Sequence, residues 1–256
     1  MARKKVGFWY RLAVVVLKPP MLAVSRRDWR HTERLPAAGG IVVVANHLSH
    51  LDPLVMAHFL WDNGRPPRVL AKSSVFDWPV AGRVIRGAGQ IPVHRETATA
   101  GSALRDAVAA VRAGEAVVVY PEGTITRDPR LWPMRGKTGA ARIALTTGCP
   151  VLPLGMWGPQ FVVPPYRPRV RLVPRRTVHV SLGPPVDLSD LMGRDQTAEV
   201  LDAATDRIMA ALVAQIAELR GEPPPAALLD PVAAGIPLSG NPHVHYEEYD
   251  ERRRTR

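Results

Sequence analysis

The segment NHLSHLD, from Asn46 to Asp52, places a histidine and a carboxylate in one short turn after an apolar run. Because His47 and Asp52 are five positions apart, the turn can return the carboxylate to the imidazole ring. A carboxylate that accepts a hydrogen bond from one ring nitrogen fixes the tautomer, so the other nitrogen can act as a general base. The chain contains no G-x-S-x-G turn that would present a serine to this base, which favours a substrate hydroxyl as the proton source.

A structural interpretation of the same residues stays open at this point. Asp52 and Pro53 are typical of a helix start, so Asp52 could be only an N-cap and His47 a core histidine. His50 is a competing imidazole, although it is only two positions from Asp52.

A second cluster, YPEGTITRDP, runs from Tyr120 to Pro129 and also follows an apolar run. Glu122, Gly123 and Thr124 form a turn of mostly small residues with exposed backbone N–H groups, and Arg127 follows closely. Such a turn can hold an anionic headgroup or a developing oxyanion. Turns of this composition are common, so the cluster is a weak signal by itself.

Alternating strand and helix patterns surround both clusters. Apolar runs and short extended segments predict strands at 41–46, 68–71, 90–94, 116–120, 151–156 and 177–182. Helices are predicted at 52–61, 77–86, 104–113, 139–147 and 197–220. The last helix has an apolar stripe that favours packing on the core, with a lipid-binding face as the alternative. The fold class is therefore α/β, a single domain with a mixed sheet covered by helices.

The charge of the chain favours an anionic partner, and the alternative is a soluble enzyme whose charge only keeps it dispersed. Its 256 residues carry a net charge of +11, which suits nucleic acid or an acidic membrane surface. Aromatic residues make up only 6% and do not alternate with the basic ones, which argues against single-stranded nucleic acid. The single cysteine, Cys149, excludes an internal disulfide and is interpreted as a buried structural thiol.

The N-terminal segment combines aromatic, apolar and basic residues. Arg11, Lys18 and two prolines interrupt the apolar stretch from Phe8 to Val24, which leaves too few continuous apolar residues to span a bilayer. Aromatic rings flanked by cations are typical of the lipid interface, and the alternative is a helical hairpin that packs on the domain. We therefore divide the chain into a membrane-interface helical segment (1–38), a catalytic domain (39–220) and a flexible tail (221–256).

Taken together, NHxxxxD and PEGT closely resemble the glycerolipid acyltransferase family, whose best-known members are the 1-acylglycerol-3-phosphate acyltransferases. GQIPVHR (89–95) and VLPL (151–154) match two further blocks of that family in order and approximate spacing. The resemblance implies a general base, His47, oriented by Asp52. It implies an acceptor site formed by Arg95, Glu122, Gly123 and Thr124, with Arg95 near the phosphate, and it suggests a role for Lys72. Asn46 and Arg127, which lie in the two clusters, are also predicted to bind substrate. The chain departs from the family at Ile125, where an arginine usually follows PEGT, and Arg127 is expected to replace that charge.

These features predict a lysophospholipid acyltransferase that uses acyl-CoA or an acyl-carrier-protein thioester as co-substrate, without a metal or a bound cofactor. The expected partners are an anionic phospholipid membrane, the thioester and a lysophospholipid acceptor, and not nucleic acid. The expected location is the cytoplasmic face of the cell membrane, as a peripheral protein. A different lysolipid or glycolipid acceptor, a thioesterase and a non-enzymatic basic module remain the alternatives.

Overall fold

The computed structural model describes residues 6–93, 100–166, 170–238 and 240. Seven strands form one mixed sheet in the order β1-β7-β6-β2-β5-β3-β4. The strands are β1 (Ser25–Arg30), β2 (Ile41–Ala45), β3 (Pro67–Lys72), β4 (Ile91–Val93), β5 (Ala116–Val119), β6 (Val151–Trp157) and β7 (Arg176–Leu182). Strands β2 to β6 are mutually parallel, whereas β7 runs antiparallel to β6. The predicted α/β fold with a mixed sheet is confirmed.

The central strands are buried on both faces, because helices cover both sides of the sheet. Val42 and Val44 of β2 face one core, which they share with α4 (Ala100–Arg112), α5 (Gly139–Thr147) and α7 (Ala198–Arg220). The intervening residues of β2 face a second core under α2 (Asp52–Asp62). The apolar stripe of α7 is buried, as expected for a core-facing helix.

One predicted helix divides into two shorter elements. The prediction at 77–86 corresponds to a 3₁₀ turn at Ser73–Asp77 followed by α3 (Ala81–Gly87). Pro79 explains the break, because a proline pushes the preceding residue into extended backbone, and Trp78 has φ −67° and ψ 133°. A further short helix, α6 (Pro159–Val162), follows β6.

The N-terminal segment is part of the folded domain. Helix α1 (Phe8–Val24) packs Tyr10 against Trp61 of α2, with ring centroids 5.3 Å apart, and leads directly into β1. The sequence does not predict β1, because its residues SRRDWR show no alternation of apolar and polar side chains. The strand forms at the edge of the sheet by pairing with β7. The sheet therefore begins before the predicted domain boundary at residue 39. None of the helices in the described residues is long and apolar enough to cross a membrane.

The chain after α7 also packs on the domain for part of its length. Leu229 forms a parallel bridge with Met134, and Asp230 pairs with Arg135 at 3.2 Å. In the stretch up to residue 238, Leu228 packs against the core, so part of the predicted tail contacts the domain, while the flexibility of the tail stays a prediction. Residues 241–256 lie outside the described part of the chain.

Candidate active site

Adjacent parallel strands bring the two sequence clusters together. Strands β2 and β5 pair in parallel, so their carboxyl ends meet at the same edge of the sheet. The chain continues from β2 into Asn46 and His47 and from β5 into Tyr120 and Glu122. The two loops therefore start side by side.

His47 and Asp52 form a hydrogen-bonded pair in this loop. His47 Nδ1 lies 2.9 Å from Asp52 Oδ2, and the same oxygen accepts the backbone N–H groups of Leu48 and Ser49 at 2.5 and 2.7 Å. Asp52 is the first residue of α2 and is fully buried, and its carboxylate points back into the loop. The side-chain hydrogen bonds of Asp52 run to the preceding loop, so this carboxylate organises the loop and does not cap α2. Of the two imidazoles in the described loop, Asp52 bonds to His47 and not to His50.

Tyr120 contacts the face of the His47 ring, in addition to the hydrogen bond that Asp52 makes at its edge. Tyr120 stacks on it with centroids 4.5 Å apart and an interplanar angle of 29°. The His47 side chain keeps 16% of its surface exposed, which leaves room for a substrate to reach the ring. The Tyr120 hydroxyl and Asp52 Oδ1 are both buried and have no hydrogen-bond partner among the described residues. Burial raises the pKa of Tyr120, and the nearby Asp52 charge raises it further.

Glu122 connects the second cluster to the first. Its Oε1 accepts the backbone N–H of His47 at 3.1 Å, and its Oε2 accepts the N–H of Met134 at 3.0 Å. The carboxyl group is buried, and this burial raises its pKa to about 8, although the two backbone N–H donors lower it in part. The N–H of Thr126 donates to the carbonyl of His47 at 2.8 Å, so both sides of the His47 main chain are fixed by the second cluster.

Gly123 and Thr124 form the half-buried part of this turn. Gly123 has φ +71°, a left-handed conformation that favours glycine, and its N–H donates to the carbonyl of Tyr120 at 3.0 Å. The turn is therefore the part of the second cluster that a ligand can approach, because Glu122 behind it is buried.

Arg127 does not face the same space. It is buried, stacks on the ring of Tyr166 at 4.5 Å and donates to the carbonyls of Leu238 and Gly240 at 2.9 and 3.2 Å. The expectation that Arg127 replaces the missing cation at Ile125 is therefore not supported, because its guanidinium is occupied by the C-terminal segment. Ile125 itself is buried in the core of the loop.

The remaining predicted site residues lie in three different settings. Asn46 is fully buried and exchanges two hydrogen bonds with the backbone of Met156 at 2.8 and 2.9 Å, so it fixes the ends of β2 and β6. Lys72 is exposed at the end of β3, where it pairs in register with Val93 of β4. Arg95 lies outside the described residues, so its expected contact with a phosphate stays a prediction.

The loop that follows α6, at residues 163–166, joins both clusters and is not predicted from the sequence. Ser49 Oγ donates to the carbonyl of Val163 at 2.7 Å, and the Tyr166 hydroxyl donates to the carbonyl of Ile125 at 2.5 Å. This loop contains no motif. The only signal that could have identified it is its position after β6, whose end lies at the same edge of the sheet. Within the described chain no group of His, Cys, Asp and Glu side chains is arranged to hold a metal ion.

Comparison with known proteins places this arrangement in a family. A family model described as Acyltransferase matches residues 26–157, which is just over half of the chain and contains both clusters. The chain is 32% identical over 141 residues to the chloroplastic 1-acyl-sn-glycerol-3-phosphate acyltransferase BAT2 of Brassica napus, covering 54% of this chain and 39% of that protein. It is 30% identical over 129 residues to the 1-acyl-sn-glycerol-3-phosphate acyltransferase of Borreliella burgdorferi, covering 49% of each. The chain thus spans about half or less of the length of these relatives.

A solved structure has the same fold. The crystal structure of the 1-acyl-sn-glycerophosphate acyltransferase PlsC from Thermotoga maritima aligns with a TM-score of 0.62, covering 84% of this chain and 81% of that one at 23% identity. The fold, the sheet-edge site and the match to the family model agree with one another. The chain therefore belongs to the Acyltransferase family.

Proposed function

We propose that this protein transfers a fatty acyl group from a thioester to the free hydroxyl of 1-acylglycerol-3-phosphate, which yields phosphatidic acid. The observation that carries the proposal is the bond between His47 Nδ1 and Asp52 Oδ2 at 2.9 Å. It leaves Nε2 as the nitrogen that accepts a proton, and the stack on Tyr120 holds that nitrogen in one direction.

The reaction follows from this geometry. His47 Nε2 takes the proton of the acceptor hydroxyl as its oxygen attacks the thioester carbonyl carbon, and Asp52 stabilises the imidazolium that forms. The tetrahedral intermediate then expels a thiolate, which leaves readily because a thiol has a pKa of about 8.5. The imidazolium returns its proton to the thiolate or to solvent. General-base catalysis of this kind contributes roughly 10²–10⁴-fold to the rate, and holding both substrates together contributes further.

The relatives support the choice of acceptor. Both of the relatives compared above are named 1-acyl-sn-glycerol-3-phosphate acyltransferases, and the region that matches the family model contains the whole of both clusters. Acyl-CoA and an acyl-carrier-protein thioester are both suitable donors, because the chemistry at the carbonyl carbon is the same for each. The residues assigned here act without a metal or a bound cofactor.

Peripheral attachment to an anionic membrane, at the cytoplasmic face of the cell membrane, completes the proposal. Helix α1 exposes an apolar face that includes Phe8, Val15 and Val16. The cations contribute less than the sequence indicates, because Arg27 pairs with Asp62 and Arg30 with Asp28. Exposed Arg11 and Arg26 are available to anionic lipid, whereas Lys4 and Lys5 of the same segment lie outside the described residues.

An assay with purified protein tests the function. Labelled acyl-CoA and 1-acylglycerol-3-phosphate should give labelled phosphatidic acid and free thiol in equal amounts, and His47→Ala should give neither. A panel with other lysolipid and glycolipid acceptors measures acceptor preference. Release of free fatty acid at the same rate with and without acceptor would contradict the proposal and indicate a thioesterase.

A further inference from the structure

Four cations lie between the PEGT turn and α5, namely Arg127, Arg130, Arg135 and Lys137, and the structure separates the roles of three of them. Arg127 is buried and donates to the C-terminal segment. Arg135 pairs with Asp230 at 3.2 Å. Lys137 is exposed, and among the described residues no carboxylate pairs with its ammonium.

The side chain of Lys137 lies over the PEGT turn. A Cβ built on Gly123 would be 3.3 Å from both Cε and Nζ of Lys137, so the end of the lysine side chain sits against the glycine. The backbone of Lys137 is fixed beside the same turn, because its N–H donates to the carbonyl of Pro121 at 2.9 Å. The ammonium therefore lies against the accessible part of the turn.

The turn under Lys137 is joined to the main chain of the proposed general base. Glu122 precedes Gly123 in the chain and accepts the N–H of His47 at 3.1 Å. The acceptor of the proposed reaction carries its free hydroxyl and its phosphate on neighbouring carbons, so the residue that binds the phosphate must lie near the base. Helix α5 begins at Gly139, shortly after Lys137, and the positive end of its dipole adds to the local potential.

We propose that the Lys137 ammonium binds the phosphate group of the acceptor and so provides the charge that Ile125 and Arg127 do not. This inference rests on the proposed function. A phosphate monoester carries a charge of about −1.5 to −2 near neutral pH. A lysine ammonium is a compact charge with three donors, so it can bind such a group without the fixed planar geometry of an arginine.

Lys137→Met tests the inference, with Lys137→Arg as a conservative variant. For Lys137→Met we expect the KM for 1-acylglycerol-3-phosphate to rise about tenfold or more, while the KM for acyl-CoA changes little. For Lys137→Arg we expect an acceptor KM close to the wild-type value, because the positive charge is kept. Activity on a monoacylglycerol acceptor, which has the hydroxyl but no phosphate, should be unaffected by either change.

Arg142→Gln is the matched control. Arg142 is an exposed cation on the first turn of α5, and its Nε is 3.4 Å from Thr138 Oγ1. A general effect of lost positive charge would raise the acceptor KM in this variant as well, and such a result would overturn the specific role of Lys137. An unchanged acceptor KM in Lys137→Met, or an equal rise in both KM values, would also overturn it. Failure of the wild-type protein to acylate the phosphate acceptor would instead overturn the proposed function, and the inference with it.

Discussion

The backbone N–H of His47 donates to Glu122 Oε1 over 3.1 Å, so the second sequence cluster fixes the main chain that carries the proposed base. Glu122 also accepts the N–H of Met134, which makes its buried carboxyl group a link between three loop segments. Changes at Glu122 should therefore affect both the position of the imidazole and the stability of the fold.

Glu122 should make stability fall as the pH rises through neutrality. Its pKa is about 8 in the folded protein against an ordinary value of 4.5, so between these values the folded chain keeps a proton that the unfolded chain has released. The stability that this proton contributes is fully present below about pH 4.5 and is lost as the pH rises to about 8. The slope is up to about 1.4 kcal/mol per pH unit.

Urea denaturation of wild type and Glu122→Gln at pH 5, 6, 7 and 8 measures this effect. The variant should be less stable at low pH, since glutamine offers one acceptor oxygen to two N–H donors, but its stability should depend less on pH. Parallel curves for the two proteins would contradict the assignment of the slope to Glu122.

His47→Ala should abolish acyl transfer and leave the fold intact. The loop keeps its main-chain bonds to Glu122 and Thr126 and the bonds of Asp52 to the Leu48 and Ser49 N–H groups when the imidazole is removed. Asp52→Asn should lower kcat by about 10⁴-fold, the loss seen for the equivalent change in a serine-protease triad, because the amide no longer sets the required tautomer. Circular dichroism confirms folding, and a folded His47→Ala variant with near wild-type turnover would refute the mechanism.

Tyr120→Phe should stabilise the protein slightly. The Tyr120 hydroxyl is buried without a partner among the described residues, and leaving such a group unsatisfied costs about 1–3 kcal/mol. Phenylalanine keeps the stack on His47 and removes that cost. A thermal melt should show an equal or higher Tm, with kcat close to wild type. A lower Tm would indicate that the hydroxyl has a hydrogen-bond partner, such as a buried water beside Asp52 Oδ1.

Arg127→Ala should reduce stability and leave the acceptor KM nearly unchanged. The change removes the donor to the carbonyls of Leu238 and Gly240 and the packing on Tyr166, and it should lower the free energy of unfolding by about 1–3 kcal/mol. Tyr166→Phe is a useful comparison, because it keeps the ring under the guanidinium and loses only the hydroxyl bonds. A large rise in the acceptor KM for Arg127→Ala at constant stability would show that Arg127 reaches the substrate.

The exposed face of α1 should hold the protein on anionic vesicles. Deletion of the whole segment is a poor test, because it would also remove β1 from the sheet. Val15→Glu and Val16→Glu should each reduce vesicle binding in a flotation assay without unfolding the protein, since these side chains are 70% and 59% exposed. Val232→Glu, at a valine that is 76% exposed in the C-terminal segment, is the matched control. Equal losses in all three variants would show that α1 has no special role.

Local sequence patterns are sufficient to predict the fold class and the pairing of His47 with Asp52. Apolar runs such as Ile41–Ala45 and Ala116–Val119 predict buried strands from composition alone, and the five-residue spacing of His47 and Asp52 is a local property that one turn satisfies. The core-facing stripe of α7 was equally readable, because helical periodicity is also local. These features depend on neighbours within a few residues, which a sequence contains directly.

Long-range contacts determine which charges remain exposed and which segments join the domain. Strand β1 has no strand signal of its own and exists because β7 pairs with it. Arg127 and Lys137 are both cations after the same turn, yet contacts with residues 238 and 240 bury one and leave the other over Gly123. Such outcomes depend on partners that are distant along the chain. Their free energies come from burial and hydrogen bonding that form only when the chain has folded.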